Sequence, residues 1–296
     1  MNWLIFALLT PFFWSFTNIL DKILTTKYVK PIDYAILGGF IWLINLVFLP
    51  LSNLRVISLT FVLLLLFVGA IRIFSFLFYL KAMQIEEVSR VSPLGNLSPL
   101  FVLIMSVLFL KESLTQSQLI AFFLIFVGGF VLSIKRIKGL LRLSKALGFI
   151  ILNTFLFALS YVLLKFAYGH ITLWDGLVLY AFGEIIASFI LLINQDIRKR
   201  FLKSVKSYNK KIWLFIAVDT IFALLGNLTS NAAILLGPVS LVAVVGGFQG
   251  LLVLIWAIYL SRYFPKILNE ELDKKVLLIK AFAISLMIGG LYLLHG

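Results

Sequence analysis

Long apolar runs recur along nearly the whole chain, and they constrain its fold more than any other feature. Each run is roughly 18 to 25 residues long, so a helix rising about 1.5 Å per residue crosses a hydrocarbon core of about 30 Å. The runs do not alternate in polarity, which favours helices over barrel strands. The sequence therefore predicts an all-α polytopic membrane protein with ten transmembrane helices, at about residues 2–21, 32–50, 58–82, 87–110, 116–134, 146–168, 172–193, 212–236, 238–261 and 276–294.

The composition agrees with a membrane protein and excludes other classes. Of 296 residues, 62% are hydrophobic and 13% charged, and so few polar groups could not cover a water-soluble globule. The net charge of +14 does not indicate a nucleic-acid partner, because the basic residues lie in short loops where the inner leaflet attracts them. Without cysteine there is no disulfide and no thiolate metal site. Residues 2–20 lack a positive start and a cleavage site, which favours a retained first span.

The chain also contains an internal repeat. A shift of 161 positions places Gly128-Gly129 on Gly289-Gly290. A shift of 151 positions places six residues of the first half on identical residues of the second: Ala82, Val88, Ser89, Val91, Gly95 and Leu103 on Ala233, Val239, Ser240, Val242, Gly246 and Leu254. We therefore expect two halves of five spans each, residues 1–139 and 140–296. An odd number of spans per half turns the second copy upside down in the membrane, as in secondary transporters.

Residues 81–134 carry the motifs of one repeat. Pro99 lies in the fourth predicted span, and the following turn is formed by Lys111, Glu112, Leu114, Thr115 and Gln118. This pattern resembles the EamA-type repeat of the drug/metabolite transporter superfamily, and two such repeats would cover essentially the whole chain. The resemblance implies a metabolite or drug permease. The second half departs from the pattern, because Arg262-Tyr263 occupy the place of the glutamate.

Basic residues predict the orientation. Of the 26 lysines and arginines, 21 lie in or beside odd-numbered loops. The positive-inside rule then places the odd loops in the cytoplasm and both termini outside. The prolines Pro93 and Pro99 fall inside the fourth predicted span, where each frees a backbone carbonyl. They are expected either to kink this helix or to kink it and shape a substrate path. Glu112 is expected to cap a helix end or to pair with Lys111.

Three ionisable residues lie deep inside predicted spans, and a charge there is costly unless it is paired or hydrated. They are Arg72 in the third span, Glu184 in the seventh and Asp219 in the eighth. Helical rise places all three roughly 10 to 15 Å from the odd-loop face, so we expect one shared layer. Arg72 is expected to pair with Asp219 or Glu184 beside a central cavity, leaving the other carboxylate for a cationic group or a proton. The alternative is a static ion pair that fixes helix packing.

Neutral polar side chains inside the spans are expected to line the same cavity and bind substrate. These are Trp14, Asn18, Tyr79, Ser92, Asn96, Tyr161, Asn227, Asn231 and Gln249. Asparagine and glutamine also hydrogen-bond between membrane helices, so packing is the alternative role for each. Only His170 and His295 are present, both near span ends, so no histidine metal site is expected and no cofactor is predicted.

The sequence favours a secondary transporter that moves a small metabolite or drug-like molecule by alternating access of the two halves. Nucleotide hydrolysis is not expected, because there is no P-loop. The alternative is a flippase for a lipid-linked sugar or similar amphiphile. An enzyme is not expected, because no metal motif and no close pair of aspartates at membrane depth is evident. The expected partners are a small-molecule substrate, membrane lipid and a coupling proton or ion, with a homodimer left open, and the expected location is the plasma membrane.

Overall fold

The computed structural model describes residues 2–85, 97–133, 145–261 and 274–295, and this part of the chain is helical without strands. We number its helices in chain order as α1 (Asn2–Lys27), α2 (Pro31–Ile41), α3 (Leu59–Ile85), α4 (Ser98–Leu110), α5 (Gln116–Ser133), α6 (Lys145–Tyr168), α7 (Leu173–Leu192), α8 (Gln195–Lys206), α9 (Lys210–Leu236), α10 (Val239–Val245), α11 (Phe248–Ser261) and α12 (Lys274–His295). A 3₁₀ segment, Trp42–Leu51, continues α2, and a shorter one covers Leu54–Val56.

Six helical segments of the described residues are long and apolar enough to cross a membrane: Asn2–Lys27, Pro31–Leu51, Leu59–Ala82, Gly148–Tyr168, Leu173–Leu192 and Lys210–Leu236. Four shorter apolar helices overlap the remaining predicted spans: Ser98–Leu110, Gln116–Val131, Val239–Val253 and Leu278–Leu294. The prediction of an all-helical multi-pass membrane protein is confirmed. The count of ten spans stays a prediction.

Several element boundaries differ from the prediction. The first helix continues to Lys27 and not to residue 21, which places Asp21 well inside it. Residues 42–51 form a 3₁₀ segment and not α-helix. The expected ninth span breaks at Gly246-Gly247, between α10 and α11. Pro99 lies in the first turn of α4, where the missing amide costs no hydrogen bond, and the expected kink of the fourth span stays a prediction. Pro93 lies outside the described residues.

Helix α8 was expected to be part of a loop. Asn194 caps its first turn, since Asn194 Oδ1 accepts hydrogen bonds from the amides of Asp196 and Ile197 at 3.0 and 3.1 Å. One face carries the buried Phe201, and the basic residues point outward. A short amphipathic helix of this kind is typical of a membrane surface. It was not predicted because its many charged residues resemble those of a loop.

Two apolar clusters hold the helices together. The larger cluster joins α1, α3 to α7 and α9 to α12. The smaller cluster joins Leu24, Ile36 and Leu80 to Ile212 and Ile216. It lies where α1 ends and where α2 and α9 begin, which is the odd-loop end. The buried polar groups lie along the seams between these helices.

Candidate functional site

Two glycines set the distance between α3 and α7. A Cβ at Gly69 would overlap the backbone carbonyl of Tyr180, and a Cβ at Gly183 would overlap that of Leu66. Small residues of this kind let membrane helices approach until their backbones touch. Arg72 lies one turn after Gly69, and Glu184 directly follows Gly183. The close approach therefore brings the two charged side chains together.

Arg72 and Glu184 form an ion pair inside the helix bundle. Arg72 Nε donates a hydrogen bond to Glu184 Oε1 at 3.0 Å, and Arg72 Nη2 donates to Asn227 Oδ1 at 3.3 Å. The guanidinium also lies 5.0 Å from the centre of the Tyr180 ring, within range of a cation–π interaction. The side chains of Arg72 and Glu184 are 13% and 2% exposed. The pair thus connects α3, α7 and α9 at a buried position.

Asn231 extends this network by one turn of α9. Its Nδ2 donates to Asn227 Oδ1 at 3.0 Å, and its Oδ1 accepts from the hydroxyl of Tyr168 at 2.6 Å. Ser230 directly precedes Asn231 on α9, and its hydroxyl lies 2.9 Å from the hydroxyl of Tyr161 on α6. We refer to the connected residues as the Arg72 cluster: Arg72, Tyr161, Tyr168, Tyr180, Glu184, Asn227 and Asn231.

Two polar atoms of the Arg72 cluster have unused hydrogen-bonding capacity. Glu184 Oε2 and Asn227 Nδ2 are buried and make no hydrogen bond within the described part of the chain. A buried polar atom without a partner costs about 1 to 3 kcal/mol, and more when the group is charged. A ligand with a donor for Glu184 and an acceptor for Asn227 would recover this energy. The cluster therefore offers complementary groups to a small polar molecule.

A cavity of about 540 Å³ opens at the even-loop end, between the Leu54–Val56 segment and the α6–α7 connection. Tyr168 lines this cavity and also donates its hydroxyl proton to Asn231. Asp175 supports the opposite wall, because it accepts hydrogen bonds from the amides of Asn53 at 2.7 Å and Thr172 at 3.0 Å. The cavity thus reaches a member of the Arg72 cluster from the even-loop face.

Asp219 lies apart from this cluster, so the expectation of one shared charged layer is wrong. Its Oδ2 accepts a hydrogen bond from the hydroxyl of Tyr34 at 2.7 Å. Asp219 precedes Asn227 by eight residues on α9, a distance of about 12 Å along the helix. Glu184, and not Asp219, is the partner of Arg72. The depth inferred from helical rise was too coarse to distinguish Asp219 from Arg72 and Glu184.

The remaining residues that were expected to line the cavity are not members of the Arg72 cluster. Trp14 packs its indole against Gly226, next to Asn227, and Gln249 Nε2 donates to the Trp14 carbonyl oxygen at 3.2 Å. Asn18 is half-buried one turn further along α1. Tyr79 stacks on Phe76 at the odd-loop end, away from the Arg72 cluster. Ser92 and Asn96 lie outside the described residues.

Sequence reasoning missed four residues of the two polar regions: Asp21, Tyr34, Tyr168 and Tyr180. A buried tyrosine hydroxyl needs a hydrogen-bond partner, and this is the signal that would have linked the tyrosines to polar neighbours. Asp21 was missed because the first span was expected to end there. The expectation that no two aspartates approach at membrane depth is also wrong, because Asp21 and Asp219 both interact with Tyr34.

Two further polar contacts fix helix ends. Glu112 Oε1 accepts a hydrogen bond from the hydroxyl of Ser240 at 2.6 Å, which joins the end of α4 to α10 and replaces the expected pairing with Lys111. Lys165 Nζ donates to the carbonyl oxygens of Ile234 and Gly237 at 2.9 and 2.8 Å. A cation at the last carbonyls of α9 stabilises the helix end.

The fold and the Arg72 cluster define a multi-pass helical membrane protein with a polar interior. Residues 1–134 match the model of the EamA-like transporter family. This match covers a little under half of the chain and confirms, over those residues, the resemblance predicted from the sequence.

The structural comparison covers the whole chain. A solved structure described as "Crystal structure of protein" shares 15% sequence identity with a TM-score of 0.69, and the match covers 99% of this chain and 96% of that one. At this identity the likeness concerns the fold alone. No curated protein matched the sequence. The matched family is one of transporters, and the match does not favour the flippase alternative.

Proposed function

We propose that the protein is a secondary transporter of the plasma membrane that moves a small metabolite or drug-like molecule by alternating access. Ten helices cross the membrane in this proposal, and residues 1–139 and 140–296 form two inverted five-helix repeats. The substrate binds at the Arg72 cluster. The observation that carries the proposal is the buried Arg72–Glu184 pair, which retains an unpartnered carboxylate oxygen and connects through hydrogen bonds to a cavity open at one face.

The packing pattern supports two equivalent halves. If each helix is exchanged for the one five spans away, the pair α1–α9 becomes α6–α3, and both pairs are among the most extensive contacts of the structure. The same exchange converts α4–α6 into α11–α1, which also pack together. The pairs α5–α12 and α4–α10 convert into themselves. Most of these contacts follow the arrangement expected of two halves related by an approximate two-fold axis. The contact of α3 with α7 is an exception, because its counterpart, α2 with α9, is not extensive.

The chemistry of the Arg72 cluster favours a substrate with both kinds of polar group. A carboxylate or other acceptor suits Arg72 and Asn227 Nδ2, whereas an ammonium or hydroxyl donor suits Glu184 Oε2. The Tyr180 ring and the indole of Trp14 supply apolar contact surface nearby. We therefore propose zwitterionic or neutral polar metabolites with an apolar portion as the substrate class.

A ligand screen on the purified protein tests this proposal. A ligand that binds only the folded protein stabilises it by about 2.7 kcal/mol at a concentration of about 100 times Kd, so thermal unfolding reports binding. A ligand found in this way should lose its thermal shift in Arg72→Gln and Glu184→Gln. Arg200→Gln is the matched control, because Arg200 pairs with Asp33 away from the cluster.

Transport itself is measured by counterflow of the same ligand in proteoliposomes. We expect exchange with the native protein and with Arg200→Gln, and none with Arg72→Gln. Exchange that survives both Arg72→Gln and Glu184→Gln at the native rate would show that the Arg72 cluster does not bind the substrate. A pH gradient imposed in the same vesicles tests coupling to protons.

A further inference from the structure

A second polar cluster lies near the odd-loop end of the seam between α1 and α9. It consists of Asp21 of α1, Tyr34 of α2 and Asp219 of α9, and we call it the acid cluster. The Tyr34 hydroxyl donates to Asp219 Oδ2 at 2.7 Å and also interacts with the Asp21 carboxylate. The three side chains are 9%, 4% and 8% exposed, respectively. Three helices thus bring two carboxylates to one hydroxyl in a buried position.

The acid cluster contains fewer hydrogen-bond donors than acceptors. A tyrosine hydroxyl can donate only one hydrogen bond, and an ionised carboxylate can donate none. Tyr34 gives its proton to Asp219, so it has none left to donate to the Asp21 carboxylate. Asp219 Oδ1 is also buried and has no hydrogen-bond partner. One added proton supplies a further donor and removes one of the two negative charges, whichever carboxylate holds it.

Repulsion between the two carboxylates also favours one bound proton. Asp21 and Asp219 lie within electrostatic reach of each other, and two ionised carboxylates at this depth would repel. In such a pair one proton is shared, and it belongs to the pair and not to one residue. Tyr79 of α3 lies within electrostatic reach of Asp21. Other titratable or charged groups near this end of the described helices are Lys22, Lys27, Asp33, Lys81, Arg200, Tyr208, Lys210 and Lys211. Asp33 is paired with Arg200 at 3.3 Å.

We propose that Asp21, Tyr34 and Asp219 form a proton-binding site that holds one proton while the odd-loop end of the α1–α9 seam is closed and gives it to water when this end opens. The inference rests on the proposed transport function and names its coupling site. The leaving proton converts one carboxyl to a carboxylate and one water to hydronium. The charged pair then repels across the seam between the two halves, which favours separation of α1 from α9.

The closed and open ends of the structure agree with this assignment. The cavity of about 540 Å³ opens at the even-loop face. At the odd-loop face the acid cluster is covered by Leu24, Ile212 and Ile216 of the smaller apolar cluster. Proton loss would therefore act at the end where the described residues pack over the acid cluster. The proton site is separate from the Arg72 cluster, where Glu184 already has a cationic partner.

The chain contains no cysteine, so a single introduced thiol can report opening of the odd-loop end. Leu24 is fully buried beside the acid cluster, and Leu24→Cys places the thiol there. The rate of labelling by a water-soluble maleimide is measured in lipid nanodiscs from about pH 5 to about pH 9. Ser207→Cys, at an exposed position, corrects for ionisation of the thiol itself.

We expect the corrected labelling rate of Leu24→Cys to rise about tenfold or more with pH. A proton affinity that differs by about one pK unit between the closed and open states changes the ratio of these states about tenfold. Addition of Asp21→Asn or Asp219→Asn should remove most of the rise, because an amide cannot release a proton. Asp33→Asn is the matched control, a buried aspartate at the same end, and should keep the rise.

Two outcomes count against the proton site. A corrected rate independent of pH in Leu24→Cys would overturn it, and this result needs no further variant to fold. A rise that survives both asparagine variants would assign the titration elsewhere. The assay uses no substrate, so it is independent of the ligand screen and counterflow. Labelling that responds to pH in a protein without counterflow activity would refute the transport proposal and keep the proton site.

Discussion

Replacing Arg72 by methionine would leave Glu184 charged and buried without its cation. The Glu184 side chain is 2% exposed, and Arg72 Nε lies 3.0 Å from its Oε1. Removing one partner of a buried ion pair costs about 3 to 5 kcal/mol, because the remaining charge is desolvated and unpaired. We therefore expect Arg72→Met to lower the free energy of unfolding by this amount. Glu184→Met should have an effect of the same size.

The double variant Arg72→Met with Glu184→Met should recover most of this loss. It removes both buried charges and replaces them by flexible apolar side chains, which is often neutral for stability. The coupling energy of the double-mutant cycle should then be about 3 kcal/mol or more. Unfolding by SDS in mixed micelles measures the four proteins. Lys203→Met is the control, because removal of an exposed lysine on α8 should change stability by about 0 to 1 kcal/mol.

The same double variant separates a binding site from a static ion pair. If the pair binds substrate, the double variant is folded and stable but gives no ligand-induced thermal shift and no counterflow. If it binds as the native protein does, the pair serves helix packing alone. A loss below about 1 kcal/mol in Arg72→Met would refute the premise that Glu184 depends on Arg72, since that is the range of an exposed pair.

Other substitutions test the contacts around the Arg72 cluster, each by SDS unfolding. Gly183→Ala should destabilise by about 1 to 3 kcal/mol, because its Cβ would overlap a backbone carbonyl of α3, whereas Gly148→Ala has no atom within 4 Å and should not; equal effects would refute the close-approach argument. Tyr168→Phe should cost about 1 to 3 kcal/mol by leaving the Asn231 Oδ1 without its 2.6 Å donor, and no loss would show that the bond is weak. Asp175→Asn should cost about 0.5 to 2 kcal/mol through the cap of α7, and an unchanged protein would mean that the cap is dispensable.

Helix positions could be predicted from the sequence because membrane spans must satisfy their backbone internally and be long enough to cross lipid. The same argument gave the depth of Arg72, Glu184 and Asp219 only as a range. It contains no information about rotation around each helix axis. The contact of α3 with α7 depends on Gly69 and Gly183, whose pairing links residues more than 110 positions apart. The choice of Glu184 over Asp219 as the partner of Arg72 therefore needed the structure.

The acid cluster was hidden for a different reason. A span boundary six residues short placed Asp21 at the membrane surface, where an aspartate needs no explanation. Tyr34 lies near the start of α2 and has no charge to draw attention to it. The tyrosines of the Arg72 cluster were likewise hidden among the 10 tyrosines and 29 phenylalanines of an aromatic-rich chain. Only the contacts show which hydroxyls serve a polar network.

Helix α9 carries one end of both polar clusters, and this connects the two proposals. Asp219 faces the acid cluster, and Asn227, about 12 Å further along the same helix, faces Arg72. A movement of α9 that parts Asp219 from Tyr34 also displaces Asn227 from Arg72, because a helix moves as one body. If substrate binding at Arg72 changes the proton affinity of the acid cluster, the proton must change the substrate affinity by the same factor. The labelling titration of Leu24→Cys with and without ligand measures that factor directly.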